Sequence, residues 1–432
     1  MTPKIPIPLS IKSFLFDNRT TKQTIVKNAF WLSFTGMLQK GINFLIVVWL
    51  ARYFGPLVYG QWNFALNFAV IFAVLSDFGF GFLAVQKISR DKSKITEYIH
   101  NALIIKLILG LVNLGLIVLA IHFLGKGREI VALVYFLGIY VIINTFSIFF
   151  QSIFRANQKM QYEAICQVLQ SLSLLILIVF VFVSNYESIL NISYAYIASS
   201  IIGVLFSLIF LRNYLPSLAI SLNLGSYKNT LKEVWPFAFG VFLTAVYCKS
   251  GVVFLSMMKG DYAVGIFSAA YNFIFLFFLL PQYLTSSIYP YFSQLFSENK
   301  QRLVANFKKL FKIFIFLASV SSLLIALLAP LIIKIIYGSQ YSASVVILQF
   351  LSVAVFFGFV KQIISIALYS VNLQKKVMKI QFLAVLVSVI GNIIFIYTVG
   401  IYGAVVMAIL TEIVLAFGYY YYYQNFKKLT LI

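Results

Sequence analysis

The sequence predicts an all-α polytopic membrane protein with about twelve transmembrane helices in two six-helix bundles. Its composition is the first observation: 62% of the 432 residues are hydrophobic and 10% are charged, whereas a soluble domain carries about 25% charged residues. The second observation is that apolar runs of about 20 residues, long enough to cross a bilayer, recur along the chain. These runs are continuous rather than alternating, which excludes a transmembrane β-barrel.

The predicted spans begin at Asn28 and are joined mostly by short loops. None of these loops is long enough to fold as a separate domain. The spans lie at approximately 28–50, 59–84, 99–123, 130–153, 163–184, 190–211, 235–258, 262–288, 308–333, 345–370, 378–399 and 403–423.

The longest polar connection in the middle of the chain covers residues 213–233 and divides the spans six and six. It predicts an N-terminal six-helix bundle (1–212), a cytoplasmic linker (213–233) and a C-terminal six-helix bundle (234–432). Residues 10–26 mix apolar and polar side chains. We expect this N-terminal segment to lie in the membrane interface before the first span.

Basic residues are distributed unevenly between the two ends of the predicted helices. Loops on the N-terminal side carry most of the lysines and arginines, and the opposite loops hold only Arg52, Lys126, Arg128, Lys259 and Lys334. The positive-inside rule then places both termini in the cytoplasm. The net charge of +22 therefore reflects topology, and it attracts anionic membrane lipids. Nucleic-acid binding is excluded, because it requires basic charge gathered on a folded domain.

An internal repeat relates the two predicted bundles. The pattern G-x4-G-x4-A-x-N-F occurs twice, at an offset of 205 residues, and opens the second helix of each bundle. In both halves the preceding helix carries a lysine near its midpoint. Because six helices per half preserve the orientation, the repeat is parallel, with a pseudo-two-fold axis along the membrane normal. The matched residues are Gly55 and Gly260, Gly60 and Gly265, Ala65 and Ala270, Asn67 and Asn272, and Phe68 and Phe273.

Three lysines lie near the centres of predicted spans: Lys40 in the first, Lys249 in the seventh and Lys361 in the tenth. A charge at mid-bilayer costs at least about 2.5–3.5 kcal/mol and marks a functional site. Three cations from both halves predict a water-filled cavity suited to an anionic substrate. Arg52 lies at the outer end of the first span and is predicted to guard the exit of this cavity. The alternative is that Arg52 only anchors its helix. Lys106, in the third span, is predicted to snorkel to the cytoplasmic surface.

Two acidic residues lie within predicted spans, where they could bind a coupling ion or pair with a lysine. Glu412, near the middle of the last span, is the candidate for proton or cation coupling, and Asp77, near the cytoplasmic end of the second span, is the further candidate. The alternative is that both acids form structural salt bridges with the lysines. Two acids cannot neutralise four lysines within the spans, which favours the cationic cavity.

The sequence contains no pattern of a catalytic or metal site. His100 and His122 lie at opposite ends of one span, so they do not form a metal cluster, and Cys166 and Cys248 lie inside apolar runs as core residues. No paired acids, serine–histidine arrangement or glycine-rich phosphate loop is present. We therefore expect a transporter rather than an enzyme, with no catalytic residues, no metal and no cofactor.

The opening hairpin resembles that of a known family. Residues 51–60 (Ala-Arg-Tyr-Phe-Gly-Pro-Leu-Val-Tyr-Gly) and 77–81 (Asp-Phe-Gly-Phe-Gly) are similar to the opening of Wzx-type polysaccharide flippases. These flippases belong to the polysaccharide transporter branch of the multidrug/oligosaccharidyl-lipid/polysaccharide exporter (MOP) superfamily. The twelve spans in two halves extend the resemblance over the whole chain.

The resemblance implies a flippase of the bacterial inner membrane that works by alternating access. Its implied substrate is an undecaprenyl-diphosphate-linked oligosaccharide, such as the O-antigen repeat unit of lipopolysaccharide, and other polysaccharide assembly proteins are implied partners. Lys40 and Lys249 match the cationic central cavity of such proteins. The resemblance does not imply whether protons or sodium ions drive transport. The two additional spans of peptidoglycan-precursor flippases are absent, which argues against that branch.

Two alternatives remain. A cation-coupled drug exporter of the same fold requires acidic residues in its cavity for cationic drugs, and the lysines argue against it. A membrane glycan polymerase would carry catalytic polar residues on a sizeable outer loop, whereas the outer loops of this sequence are short and nearly bare of charge.

Overall fold

The structure, a computed structural model, describes residues 21–91, 95–212 and 224–431. The described chain is helical and contains no β-strand, as an apolar chain requires when its backbone must be hydrogen-bonded within lipid. A 3₁₀ helix, Ser339–Tyr341, connects two of the α-helices. The α-helices are α1 (Thr21–Asp77), α2 (Phe80–Arg90), α3 (Ile95–Phe123), α4 (Arg128–Ala156), α5 (Met160–Val183), α6 (Ile189–Leu211), α7 (Leu224–Lys259), α8 (Asp261–Phe277), α9 (Leu279–Glu298), α10 (Lys300–Ile336), α11 (Ser344–Ser370), α12 (Gln374–Val399) and α13 (Ile401–Leu431).

The helices confirm the predicted number of membrane crossings. Among the described residues, 11 helical stretches are long and apolar enough to span a bilayer. The first stretch, Phe30–Ser89, has 60 residues, about three times the length that one crossing needs. It bends at Gly55, where φ is 74° and ψ is 175°, values outside the helical region. This bend divides the first stretch into two spans, which gives twelve candidate crossings among the described residues.

Gly260 has the same backbone conformation as Gly55, with φ 84° and ψ 173°. Both glycines occupy the first position of the repeated pattern, and the helix that carries the rest of the pattern starts directly after each one. A positive φ of this kind, combined with extended ψ, is accessible almost only to glycine. The two copies of the sequence pattern therefore produce the same local structure.

The second predicted span, 59–84, is interrupted rather than continuous. Helix α1 ends at Asp77 and α2 begins at Phe80, and the two residues between them, Phe78 (φ 47°) and Gly79 (φ 77°), have left-handed backbone conformations. Glycine adopts this conformation without strain, whereas a residue with a Cβ does so at a cost of about 1–2 kcal/mol. The predicted span therefore consists of two helical segments.

The eighth predicted span, 262–288, is also interrupted, between α8 and α9 at Phe278. Pro281 explains the position of the break, because it lacks the N–H group that would bond to the Phe277 carbonyl. The helix continues through Pro330 in α10, so a proline alone does not end a helix in this chain.

The described residues fall into two compact units, each considered separately. Within the described residues, unit 1 comprises 21–46, 72–91, 95–120, 135–212 and 224–239, and unit 2 comprises 47–71, 121–134 and 240–431. The core of unit 1 contains many aromatic and aliphatic side chains from α2 to α6, and Cys166 is among them, as predicted. In unit 2, α11 is central and packs against α8, α9, α10 and α13. The predicted linker lies largely outside the described residues, as does most of the predicted interfacial segment.

Candidate functional site

The first cluster of charged residues lies in unit 2, where α11 meets α7 and α13. The Lys361 ammonium lies 2.7 Å from a carboxylate oxygen of Glu412. Tyr247 donates its hydroxyl proton to Glu412 over 2.5 Å, and the Lys361 ammonium lies 3.2 Å from the same hydroxyl. The Glu412 side chain is 5% exposed and that of Lys361 is 19% exposed. Lys361 and Glu412, two predicted site residues, are thus brought together as an ion pair.

The second cluster lies in unit 1, beside the break after α1. The fully buried Lys106 donates to the Ser76 carbonyl at 2.9 Å and lies 3.7 Å from the Asp77 carboxylate. Its ammonium also contacts three phenylalanine rings at 5.3–5.8 Å, those of Phe80, Phe146 and Phe149. The Ser76 carbonyl belongs to the last turn of α1 and has no helical partner. Lys106 therefore holds the end of a broken helix, and the prediction that it snorkels to the surface was wrong.

The two acids predicted within the spans are thus each paired with one lysine. The prediction of a cationic cavity also includes Lys40 and Lys249. Lys40 is half-buried on α1 and belongs to unit 1. Lys249 is half-buried on α7 in unit 2, and its ammonium lies 5.7 Å from the centre of the Phe275 ring. In the described part of the chain, Lys249 forms no ion pair with an acidic side chain. A cavity that joins these lysines stays a prediction.

Arg52 has a defined structural partner within unit 2. Its guanidinium donates to the Ile335 carbonyl at 2.8 Å, and Ile335 lies in the last turn of α10. Gln340 donates to the Arg52 carbonyl at 2.8 Å, and the Tyr341 hydroxyl donates to the Ala51 carbonyl at 2.8 Å. A cation at the carboxyl end of a helix satisfies free carbonyls and is favoured by the helix dipole. These contacts support the anchoring alternative for Arg52.

The two copies of the repeated pattern meet each other inside unit 2. A Cβ atom built on Gly60 would lie 1.7 Å from the Asp261 carbonyl oxygen, and one on Gly265 would lie 1.8 Å from the Pro56 carbonyl oxygen. Pro56 and Asp261 are themselves matched by the 205-residue offset. The contact is therefore reciprocal, as across a two-fold axis. Glycine is required at both positions because the two helix backbones touch.

Polar contacts surround this glycine contact. Asn272 donates to the Tyr59 hydroxyl at 2.9 Å and to the Asn63 side-chain oxygen at 3.3 Å. Lys126 donates to the Ser256 carbonyl at 3.0 Å and lies 3.5 Å from the Asp261 carboxylate. The sequence indicated Asn272 through the repeat but gave no reason to join Lys126 to Asp261, which lie 135 residues apart.

Two solved structures of membrane transporters have a fold similar to that of this chain. The lipid II flippase MurJ in an inward closed conformation matches with a TM-score of 0.74 and 15% sequence identity, over 91% of this chain and 87% of that one. A multidrug resistance MATE transporter of the MOP superfamily, in an inward-facing conformation, matches with a TM-score of 0.73 and 17% identity, over 90% of this chain and 96% of that one. The chain shares the fold of these two transporters, and the helices of its described part are long and apolar enough to cross a membrane many times.

The family follows from the sequence comparisons. The profile of the family described as "Polysaccharide biosynthesis protein" matches residues 25–296, and the chain belongs to this family. The capsular polysaccharide biosynthesis protein CapF of Staphylococcus aureus is 24% identical over 93% of this chain and 100% of its own length. A protein of Escherichia coli (strain K12) provisionally named an O-antigen transporter is 21% identical over 77% of this chain and 80% of its own length.

Proposed function

We propose that the protein is a flippase that moves a lipid-diphosphate-linked oligosaccharide across the bacterial inner membrane, from the cytoplasmic to the outer leaflet. The oligosaccharide is a repeat unit of O-antigen or of another surface polysaccharide. Membership of the polysaccharide biosynthesis family supports this proposal, as do relatives named for capsular polysaccharide biosynthesis and O-antigen transport. Both termini are placed in the cytoplasm, since the basic loops lie at their end of the helices.

The proposal depends most on the position of Lys249. It lies mid-span on α7, and no acidic side chain of the described residues forms an ion pair with it. A lysine at the bilayer centre costs at least about 2.5–3.5 kcal/mol, so its presence there indicates a functional role. An ammonium is a point charge that binds phosphate through strong charge-assisted hydrogen bonds. We assign Lys249, with Lys40, to the diphosphate of the lipid carrier.

A cation-coupled drug exporter is supported less well. A cationic drug would require a carboxylate that is available inside the spans. Asp77 and Glu412 are instead engaged by Lys106 and Lys361. Binding a cationic drug to either acid would first require the loss of an existing ion pair, which costs several kcal/mol when a buried charge is left unpaired.

Glu412 remains our candidate for energy coupling, and Asp77 is the further candidate. Both carboxylates lie beside a lysine ammonium. A proton or a sodium ion on either carboxylate would weaken its ion pair, so the pair can link the ion gradient to a change of helix packing. We propose coupling to protons or sodium ions through these acids, with no resident cofactor. A leaflet-resolved translocation assay with either gradient alone identifies the coupling ion, and a rate that neither gradient changes overturns the coupling role.

The role of Lys249 is tested by the same assay on the purified protein in liposomes that contain an undecaprenyl-diphosphate-linked oligosaccharide. We expect Lys249→Ala to lower the translocation rate about tenfold or more, since a hydrogen bond to a charged group contributes about 1.5–3 kcal/mol. Lys249→Arg should retain part of the rate because it keeps the charge. Lys259→Ala is the matched control, because Lys259 lies at the end of the same helix and donates to the Tyr397 carbonyl. A wild-type rate for Lys249→Ala at equal protein level overturns the assignment.

A further inference from the structure

A cavity of about 330 Å³ lies among the helices of unit 2, with Lys361 and Tyr247 of the first cluster in its walls. Residues of α7, α8, α9, α11, α12 and α13 form its walls, so it belongs wholly to the C-terminal part of the chain. Its volume is at the lower end of the range for small-ligand sites, about 300–1,000 Å³. A single ring-sized group fits this volume, whereas a whole oligosaccharide or a polyprenyl chain does not.

The lining combines amide, hydroxyl and aromatic groups. Its polar side chains include Gln282, Gln362, Gln381, Tyr369 and Tyr419. The Gln362 amide nitrogen donates to the Thr285 hydroxyl at 3.2 Å, which orients the amide while its oxygen remains an acceptor. Amides and hydroxyls both donate and accept hydrogen bonds. They therefore match a ligand whose own groups do both, such as the hydroxyls of a sugar.

Aromatic rings supply the apolar part of the cavity. Tyr271, Phe275 and Phe278 line it, and Phe278 lies at the break between α8 and α9. A flat ring offers an apolar face with low conformational entropy, and a tyrosine adds a polar tip. The carbon-bound face of a sugar packs against such rings while its hydroxyls bond to the amides.

The electrostatics select an uncharged ligand. Lys361 is the charged residue among those lining the cavity, and its ammonium is already paired with Glu412 at 2.7 Å. An anionic group would have to displace this buried carboxylate from Lys361, and it would leave Glu412 unpaired. Lys249 is not among the lining residues, and its ammonium lies 5.7 Å from the centre of the Phe275 ring, which forms part of the cavity wall.

We propose that this cavity is a carbohydrate subsite that takes one uncharged sugar ring, a hexose or an N-acetylhexosamine. The inference rests on the proposed flippase function, in which the substrate carries an oligosaccharide. The lysines outside the cavity then hold the charged diphosphate, and the cavity recognises part of the glycan. Gln381 lines the cavity together with Tyr369 and Tyr419, and we expect its amide to contribute most to the choice of sugar.

The chain contains its own probe of this cavity. Cys248 lines it, and the other cysteine, Cys166, is fully buried in the core of unit 1. A thiol reacts as the thiolate, so reaction within a span reports access of water to the site. The purified full-length protein in detergent is treated with methyl methanethiosulfonate, and modification of each cysteine is followed by mass spectrometry. The protecting ligands are N-acetyl-D-glucosamine, D-galactose, D-glucuronate and inorganic diphosphate.

We expect at least one uncharged sugar to protect Cys248, with half-maximal protection on the order of millimolar for so small a ligand. At ten times that concentration, modification should be about tenfold slower. Gln381→Leu and the cavity-filling variant Ala384→Phe should abolish protection. Leu386→Phe is the matched control on the same helix, because Leu386 is 42% exposed on the surface, and it should leave protection unchanged.

Two outcomes overturn the subsite. One is protection by diphosphate or D-glucuronate without protection by either uncharged sugar. The other is a reactive Cys248 that no sugar protects. If Cys248 does not react, sugar binding is measured by saturation-transfer NMR with the same sugars. The proposal then requires a transfer signal that Ala384→Phe abolishes, and the absence of such a signal rejects it. Sugar protection measures binding and is independent of the translocation assay. Normal translocation together with no protection rejects only the subsite. Protection together with no translocation rejects only the flippase function.

Discussion

Replacing Gly60 or Gly265 by alanine tests whether the repeated glycines fix the helix contact in unit 2. The added Cβ would lie 1.7 Å from a carbonyl oxygen at Gly60 and 1.8 Å from one at Gly265. Cβ atoms essentially never lie closer than 3.0 Å to another heavy atom, so the two helices would have to move apart by more than about 1 Å. Overpacking of this kind costs about 1–3 kcal/mol, and we expect each variant to lose that amount of stability.

The assay is thermal unfolding of the purified protein in detergent, with both single variants and the double variant. One separation of the helices makes room for both methyl groups, so the double variant should lose less than the sum of the single losses, by at least about 0.5 kcal/mol. Gly115→Ala is the matched control, because a Cβ there meets nothing within 4 Å. It should be neutral or stabilise the helix by about 0.5–1 kcal/mol.

Two results would refute this reasoning. Single variants as stable as the Gly115→Ala control would mean that the helices do not touch at these glycines. Strictly additive losses in the double variant would mean that the two positions act at separate contacts.

The remaining predictions concern the ion pairs. Lys106→Met should lower the free energy of unfolding by about 3 kcal/mol, because it leaves the Asp77 carboxylate without its buried partner; a loss under about 0.5 kcal/mol in thermal unfolding contradicts this. Lys361→Met and Glu412→Gln should each destabilise the protein, because each leaves one charge of the pair without its partner. The double variant should be more stable than either single variant but should remain defective in translocation. A double variant with normal translocation contradicts the coupling role. Lys126→Met should cost about 1 kcal/mol, and no change in the melting temperature shows that its hydrogen bonds are not stabilising.

The spans could be predicted from sequence because the bilayer leaves few choices. A backbone in lipid must satisfy its own hydrogen bonds, so each long apolar run becomes a helix. The breaks at Phe78 and Phe278 cannot be located from hydropathy, because hydropathy carries no information on backbone conformation. Gly79 and Pro281 mark both breaks in the sequence, but glycine and proline also occur inside continuous helices, as Pro330 shows.

The pairing of charges could be predicted only in outline. Counting acids and lysines within the spans indicates that some lysines are left over, and the ion pairs Lys361–Glu412 and Lys106–Asp77 agree with that count. Which lysine meets which acid depends on helix rotation and packing, and these are set by contacts between residues far apart in sequence. The burial of Lys106 depends in the same way on the phenylalanines around it.

Lys249 also has a consequence for how the chain enters the membrane. The span that contains it, Ala238–Lys259, has the lowest mean hydropathy of the 11 stretches. A central lysine costs about 2.5–3.5 kcal/mol in translocon-mediated insertion. This helix therefore depends on later helices such as α8 and α11 for its integration. A chain truncated after Lys259 should leave the segment outside the bilayer in a glycosylation-mapping assay, and Lys249→Leu should restore its insertion. On this prediction, the residue assigned to the substrate also delays the membrane integration of its own helix.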